Sequence, residues 1–282
     1  PRLAAFMAGD IDTIAVPRAY MSQLLQPNGE PLLGVVCYKD IPQLTSDSLH
    51  YQLIVTEGSS YMPTIGGVNQ SGFFGNVHAR RAFSYALDFT TLIEDAWFGE
   101  AEQPTTWHIS GLVPDYRLPP AQLPPYDIDL AKVEAELKLA NYTGPLPANS
   151  LWEKGFHTTL VYNLGNDQRK IACDMIKVEI EGLNALRPAK PPFIVDVVGL
   201  PWSPDYLTEM EEGFLPVFQI GWLADFADVD NWVRPYMHTY GDFSAIQGYS
   251  NSTVDELIDL GVKTAAEPDR RLIYEELQRE FI

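Results

Sequence analysis

Three aspartates, one asparagine and two tryptophans lie within the twelve residues GWLADFADVDNW, residues 221–232. Carboxylates packed this closely repel one another unless a cation approaches them. The two indoles beside them supply large apolar faces. Such a segment can hold a metal ion, form a catalytic acid pair, or bind a cationic ligand, and each chemistry requires different neighbouring residues.

A metal site in this segment fails on ligand spacing. Asp228 and Asp230 begin like an EF-hand loop, which requires an oxygen ligand at its fifth position, Gly at its sixth and Glu at its twelfth. Those positions hold Trp232, Val233 and Thr239. Zinc spacings are absent too, because the histidines are scattered and no CxxC pair occurs. The histidines are His50, His78, His108, His157 and His238. We therefore predict no metal and no cofactor.

Motifs for catalysis are also missing. The stretch GGVNQSG lacks the Lys of a phosphate-binding loop and the spacing of a dinucleotide fingerprint, and no GxSxG elbow occurs. A glycosidase-like carboxylate pair stays open, because 38 acidic residues always offer candidate pairs. We predict that the chain is not an enzyme, with a glycoside hydrolase lobe as the less favoured alternative.

A cationic ligand suits the remaining chemistry of the segment. An aspartate that follows a strand can accept a charge-assisted hydrogen bond from an ammonium group, and neighbouring rings exclude water and add cation–π attraction. The competing interpretation is a helix cap, because Asp often caps the helix that follows a strand. Asp228 or Asp230 suits the cap best, and Trp232, at helical spacing, suits the core.

Composition limits the partners of this protein. The 282 residues carry 38 acidic and 19 basic side chains, a net charge of -19, which argues against nucleic acid. Hydrophobic content of 46% and charged content of 20% are ordinary for a globular protein. No apolar run reaches the ~20 residues of a membrane helix. Cys37 and Cys173 leave both their pairing and the redox compartment open.

Hydrophobic periodicity predicts an α/β fold around the segment. The predicted elements alternate as strand TTLVYN, helix DQRKIACDMIKVEIEGL, strand FIVDVVG, helix SPDYLTEMEEG and strand PVFQIGW, and two helices follow at STVDELIDLGVKTA and EPDRRLIYEELQREF. The aspartate-rich segment comes directly after the last strand, where α/β folds place their binding groups.

The first half of the chain is less regular. Its predicted elements are helix LAAFMAG ending at Gly9, a buried edge IDTIAV, strands LLGVVCY and LHYQLIV, helix NVHARRAFSYALDF, and helix DIDLAKVEAELKLANY. A further helix is predicted to begin at Thr91, in a capping box with Glu94. Residues 103–126 are rich in proline and predict a long irregular segment.

Several segments together resemble a known family. GWLADFADVDNW, GYSNSTVDELID and PDRRLIYEELQ resemble the C-terminal lobe of the family 5 extracellular solute-binding proteins, the oligopeptide- and dipeptide-binding components of ABC importers. AFMAGDID, VHARRAFSYALD and YDIDLAKVEAELKLANY resemble other segments of the family in the same order. Val229 stands where Pro is frequent, and Phe226 where Tyr is frequent. The resemblance spans nearly the whole chain.

The resemblance implies a periplasmic-binding-protein-like α/β fold of type II, peptide-binding subclass, with a mixed sheet flanked by helices. Residues 1–50 are then expected to be a remnant of the first lobe leading to the hinge. Residues 51–282 are expected to form the second ligand-binding lobe, incomplete at its C-terminal end. An extracytoplasmic protein is implied, periplasmic or at the cell surface with a lipid anchor as one option. It is expected to be a monomer that serves an ABC permease.

The resemblance also implies the roles of five residues. Asp225 accepts the α-ammonium group of a bound peptide, Trp222 walls the adjacent pocket, and Trp202 supplies a second pocket tryptophan. Asn163 and Gln219 occupy positions that contact ligand. Gln219 departs from relatives that carry Arg there to meet a peptide carboxylate, so peptide length stays open. Relatives also bind nickel chelates, haem or oligosaccharides, which makes an oligosaccharide receptor the alternative.

Overall fold

The computed structural model describes residues 2–16, 18–38, 43–106, 114–123, 125–142 and 149–281. The strands are β1 Thr45–Tyr51, β2 Thr64–Ile65, β3 Val68–Asn69, β4 Phe156–Asn163, β5 Phe193–Leu200 and β6 Val217–Leu223. The helices are α1 Arg2–Ala8, α2 Val77–Ser84, α3 Phe89–Thr91, α4 Leu130–Leu139, α5 Leu151–Lys154, α6 Asp167–Gly182, α7 Leu207–Glu211, α8 Asp230–Met237, α9 Asp242–Gln247, α10 Ser252–Lys263 and α11 Glu267–Phe281. None of the described helices is both long and apolar enough to cross a membrane.

The strands form one mixed sheet with β4 at its centre. Strand β5 runs parallel along one edge of β4, and β6 runs parallel beside Leu160 and Val161. Strand β2 lies antiparallel beside the start of β4, and β1 pairs antiparallel with β6, which sets Thr45 opposite Leu223. The predicted β-α-β-α-β order is therefore confirmed, and the carboxyl ends of β4, β5 and β6 meet at one edge of the sheet.

Helices cover both faces of this sheet. Leu160 of β4 packs into one buried cluster with side chains of α2, α4 and α6, whereas its neighbour Val161 packs into a second with side chains of α8, α10 and α11. A strand buried on both faces is expected to be apolar throughout rather than alternating, which explains the run TTLVYN. The predicted mixed sheet flanked by helices is thus what forms.

Two predicted extended segments in the first half of the chain are wrong: the buried edge IDTIAV and the strand LLGVVCY. Residues 11–16 form no strand and are exposed or half-buried. The segment LLGVVCY, residues 32–38, forms no strand either, and Leu33, Val36 and Tyr38 are exposed. Apolar β-branched residues favour a strand only where a neighbouring strand and a packing surface exist. None of the described strands pairs with either segment.

The helix predicted to begin at Thr91 begins earlier, at Phe89. Asp88 is its N-cap, because the Asp88 carboxylate accepts hydrogen bonds from the Thr91 amide at 2.9 Å and the Thr91 hydroxyl at 2.7 Å. These bonds lower the pKa of Asp88. Thr91 is therefore a donor to the cap, and Leu92–Ala96 continue as a π-helical turn.

We expect Asp88→Ala to lower the free energy of unfolding by about 1 kcal/mol, the usual contribution of an N-cap carboxylate. Because the folded pKa of Asp88 is depressed, this contribution is present above the unfolded pKa near 3.8 and disappears as the pH falls below it. Urea unfolding at pH 7 and pH 3 measures both effects. Asp95→Ala, at an exposed aspartate of the π-helical turn that follows, is the matched control, and an equal loss there would contradict the cap.

His50 is a buried histidine of β1 within the second cluster. Its ring stacks on Phe218 with centroids 5.0 Å apart and on Tyr236 at 5.4 Å, and its Nε2 lies 2.9 Å from the Ser48 hydroxyl. Burial lowers the pKa of His50 to about 3, although a hydrogen bond with Gln247 opposes the shift. The imidazole is therefore neutral in the folded protein.

A neutral buried His50 predicts a loss of stability in mild acid. An unfolded histidine titrates near 6.5, whereas folded His50 stays neutral to about pH 3, so the unfolded state binds more protons between these values. The contribution is complete above pH 6.5 and falls by up to about 1.4 kcal/mol per pH unit below it. Urea midpoints from pH 7.5 to 5.5 should show a smaller slope in His50→Phe. An unchanged slope would contradict this account.

Candidate functional site

Four of the five predicted site residues lie at the sheet edge where the parallel strands end. Asn163 is the last residue of β4, and Trp222 is the penultimate residue of β6. Trp202 and Asp225 each follow the end of a strand by two residues, after β5 and β6 respectively. Gln219 lies further back, inside β6. The order of elements therefore brings side chains from three strands to one edge, as predicted for an α/β binding site.

The three aspartates after β6 have different surroundings. Asp228 accepts a hydrogen bond from Arg270 at 2.7 Å and from the backbone amide of Asp230 at 2.9 Å. Asp230 accepts one from Arg234 at 3.2 Å, four residues along α8. The carboxylate of Asp225 is exposed and has no hydrogen-bond or ion-pair partner within the described part of the chain. Of the three aspartates, only Asp225 presents a carboxylate without a cation beside it.

Asp228 fixes the turn beneath Asp225. Burial opposes ionisation of Asp228, but the hydrogen bonds from Arg270 and the Asp230 amide outweigh it, and its pKa is lowered. The same contact raises the pKa of Arg270. Arg270 also donates to the carbonyl of Gly261 at 2.9 Å, so this turn is tied to α10 and α11. Asp228 thus shapes the turn through the amide of Asp230, the first residue of α8, but the N-cap is Val229, so the predicted cap at Asp228 or Asp230 is wrong by one residue.

Asn231 joins Trp222 to Asp225, and no role was predicted for it from the sequence. Its side-chain oxygen accepts a hydrogen bond from Trp222 Nε1 and another from the backbone amide of Asp225, both at 3.0 Å. Only 6% of Asn231 is exposed. It belongs to α8, the helix that follows β6 and whose bounds were not predicted from the sequence. The available sequence signal was that Asn231 is the one amide side chain in a segment otherwise rich in carboxylates.

Arg169 lies beneath the same edge and was also missed. Its guanidinium donates to Asn163 Oδ1 at 2.8 Å and to the carbonyl of Gln219 at 2.9 Å, and pairs with Asp47 at 3.2 Å. Only 7% of Arg169 is exposed. An Arg in the first turn of a helix opposes the helix dipole, and that unfavourable position was the sequence signal for a specific partner.

Close packing around Arg169 explains the glycine of the GW pair. A Cβ at Gly221 would lie 3.1 Å from the carbonyl of Ser46 and 3.2 Å from Arg169 Nη2. Burial raises the pKa of Asp47 above its ordinary value although the charge of Arg169 acts against it. A larger residue at 221 would press on the contact between β1, β6 and α6 that holds Asn163 in place.

Gln219 faces the interior rather than the open edge. Its side-chain amide donates to the carbonyl of Arg169 and to Cys173 Sγ, both at 2.9 Å, and Tyr206 OH bonds to its backbone amide and carbonyl. Gln219 therefore supports Arg169 from below in this structure. A direct contact between Gln219 and a ligand stays a prediction.

The two predicted pocket tryptophans present flat apolar surface. Trp202 is 44% exposed and stacks on Tyr206 with centroids 5.8 Å apart. Trp222 is half-buried, and Phe243 meets it edge to face at 5.6 Å. Trp232 is fully buried, as predicted. The edge thus combines one unpaired carboxylate with two partly exposed indoles.

The remaining titratable groups offer little reactivity. Cys37 and Cys173 are both free thiols, and burial raises the pKa of Cys173 to about 12. Among the described residues, no group of three His, Cys, Asp or Glu side chains is placed to hold a metal. His108 lies outside the described residues. The arrangement at the strand ends is therefore suited to recognising a ligand by charge and apolar contact.

Comparison with known proteins places this arrangement in a family. Residues 1–244 match the family described as "Bacterial extracellular solute-binding proteins, family 5 Middle". Heme-binding protein A of Haemophilus influenzae is 25% identical over 216 residues, which are 73% of this chain and 34% of that protein.

Two solved structures show the same fold. The ABC transporter-associated periplasmic binding protein DppA from Helicobacter pylori, in complex with the peptide STSA, has a TM-score of 0.64 at 18% identity and covers 99% of this chain and 46% of its own. NikA from Staphylococcus aureus, in complex with Ni(L-His)2, has a TM-score of 0.64 at 14% identity, with 99% and 50% covered. The chain thus spans half or less of these proteins. Their similarity confirms the predicted type II periplasmic-binding-protein-like fold.

Proposed function

The chain belongs to the bacterial extracellular solute-binding proteins of family 5, and we propose that it supplies the lobe of an ABC importer's receptor that binds the amino end of a peptide. Asp225 accepts the α-ammonium group in this proposal. The receptor holds an oligopeptide or dipeptide in a cleft between two lobes and delivers it to a membrane permease.

The unpaired carboxylate of Asp225 is the observation that carries the proposal. Its neighbours Asp228 and Asp230 are each neutralised by an arginine, whereas Asp225 is exposed without a partner among the described residues. A carboxylate and an ammonium group form a charge-assisted hydrogen bond that strengthens as water is excluded. A ligand amine would complete the pairing that the protein provides for the other two aspartates.

The other predicted residues take supporting roles. Trp222 forms the wall beside Asp225, and Trp202, stacked on Tyr206, offers an indole face to a side chain of the peptide. Asn163 lies at the end of β4 and, held by Arg169, presents its amide at the same edge. Gln219 supports Arg169 from the interior, and a direct contact between Gln219 and the ligand requires its side chain to turn toward the cleft.

We propose the following division of the chain. Residues 1–50 lead from a first lobe to the hinge, and residues 51–282 are the ligand-binding second lobe. Strand β1, Thr45–Tyr51, spans this boundary and is joined to the second lobe through β6 and the Asp47–Arg169 pair. Closure of two lobes by hinge motion would cover the edge that carries Asp225 and exclude water from the ion pair.

The proposed protein binds and releases its ligand without chemical change. It works outside the cytoplasm, in the periplasm or at the cell surface, as a monomer that docks on an ABC permease. Solved relatives named as periplasmic binding proteins support this location.

Calorimetry with the full-length protein tests the proposal. A panel of di-, tri- and tetrapeptides with free amino ends should include binders, and mass spectrometry of co-purified ligand should find peptides. Oligosaccharides, nickel–histidine chelate and haem form the comparison panel. Binding confined to one of those ligands would contradict peptide recognition, and turnover of a glycoside would contradict a pure binding role.

A further inference from the structure

We infer that Asn231 is the positioning residue of the proposed amine site, because its single side-chain oxygen accepts hydrogen bonds from both the Trp222 indole and the backbone amide of Asp225. The inference rests on the proposed function for the identity of the ligand. Asn231 itself touches no ligand in this assignment and acts through Trp222 and Asp225.

The first support is the shared acceptor. Trp222 Nε1 and the backbone amide of Asp225 both donate to Asn231 Oδ1 at 3.0 Å. A carbonyl oxygen has two lone pairs and can accept two such bonds at once. The Trp222 indole and the backbone of Asp225 are therefore both bonded to Asn231 Oδ1, and neither can move far without breaking its hydrogen bond to that atom.

The second support is the rigidity of Asn231 itself. It is 94% buried as the second residue of α8, and its backbone amide donates to the carbonyl of Asp228 at 3.0 Å. Asp228 is in turn held by Arg270 of α11 at 2.7 Å. The exposed loop that carries Asp225 is thus attached to α8, which packs against α9 and α10.

The third support is the exposure of what Asn231 holds. Asp225 and the next two residues are exposed, so few packing contacts are available to fix the direction of the carboxylate. The hydrogen bond from the Asp225 backbone amide to Asn231 fixes the backbone from which the Asp225 side chain extends. Phe243 also contacts the Trp222 ring edge to face. Asn231 therefore fixes the Trp222 indole relative to the Asp225 carboxylate.

The test measures peptide affinity of the full-length protein in a double-mutant cycle. The probe is one dipeptide with a free amino end that binds the wild type. Asn231→Leu should lower its affinity about tenfold when Asp225 is present, as expected for one lost net hydrogen bond. In an Asp225→Asn background the same change should have less than a twofold effect, because the misplaced carboxylate is already gone. Asn231→Asp should restore most of the affinity, since a carboxylate oxygen also accepts both bonds.

A matched control separates positioning from stability. Asn184 also uses its side-chain amide to hold a backbone, accepting from the Phe193 amide at 2.8 Å and donating to the Phe193 carbonyl at 2.9 Å. It follows α6 and contacts the first residue of β5, at the opposite end of that strand from the site. Asn184→Leu should lower the unfolding midpoint but leave dipeptide affinity within twofold of the wild type.

A spectroscopic readout does not depend on the ligand. In a ¹H–¹⁵N spectrum, the indole N–H of Trp222, identified among the six tryptophans by Trp222→Phe, should move upfield in Asn231→Leu and stay near its position in Asn231→Asp. If the wild type binds no amine-bearing peptide, the proposed function fails while this shift still supports the bond. An unmoved indole signal, or equal affinity losses in both Asp225 backgrounds, would overturn the positioning role.

Discussion

Replacing Asp225 by Asn in the full-length protein should weaken binding of a free-amine peptide by about 2–5 kcal/mol, which corresponds to an affinity loss of roughly thirty- to several thousand-fold. The substitution keeps the shape of the side chain and removes its charge. The ligand ammonium group would then lose its ionic partner in a cleft that has expelled water. Isothermal titration calorimetry at constant ionic strength measures the loss.

The control for this prediction is another exposed aspartate. Asp269→Asn, in the first turn of α11, removes the same charge from a chain whose net charge is -19. Its effect on affinity should stay below twofold, because screened surface charges act weakly over distance. Similar losses in both variants would mean that overall charge attracts the ligand, and Asp225 would lose its assignment.

Replacing Arg169 by Met should lower the free energy of unfolding by about 1–3 kcal/mol, because the partly exposed carboxylate of Asp47 loses its charged hydrogen-bond partner. Asn163 Oδ1 and the Gln219 carbonyl lose a donor as well. The methionine retains most of the apolar volume. Urea unfolding monitored by circular dichroism measures the change, and the loss should shrink as the pH falls, because the pKa of Asp47 is raised and a protonated Asp47 no longer needs a cation.

The adjacent residue supplies the control. Lys170 is exposed on the same turn of α6 and pairs with the exposed Asp174. Lys170→Met also removes one cation, but Lys170 and its partner are both solvent-exposed, so the free energy of unfolding should stay within experimental error of the wild type. If Arg169→Met were as mild as this control, the Arg169 contacts would be dispensable for holding β1 against α6.

The α/β half of the chain was predictable because its local signals agree. Helix α6 was predicted over DQRKIACDMIKVEIEGL and forms from Asp167 to Gly182, where Asn166 caps its start. The run TTLVYN was predicted to be a strand, and it lies within β4, which is buried along most of its length. In both cases periodicity, capping and burial favour the same structure.

Elements whose formation depends on distant partners were not predictable. LLGVVCY has strand-forming residues, yet no described strand lies beside it. At Thr91 a plausible capping box was overridden by Asp88, whose carboxylate bonds both the amide and hydroxyl of Thr91. A capped helix was expected after β6, but its bounds were not predicted, and α8 contains Pro235, a residue that usually ends a helix.

The site was predictable only at its exposed end. Trp222 and Asp225 have residue types whose chemistry is visible in the sequence. Arg169 and Asn231 look like ordinary helix residues, and their roles arise from contacts with Asp47, Asn163 and the β6 loop. Such contacts join residues far apart in the chain and become visible only once the sheet is assembled.

The most direct test of the central claim removes the ligand amine and the protein carboxylate, separately and together, in one thermodynamic cycle. Affinities are measured by calorimetry for a peptide with a free amino end and for its N-acetylated form, against the full-length protein and its Asp225→Asn variant. The account predicts that acetylation weakens binding to the wild type by at least about a hundredfold, and changes binding to Asp225→Asn by less than about threefold. Equal effects of acetylation on both proteins would contradict the pairing of Asp225 with the ligand ammonium group.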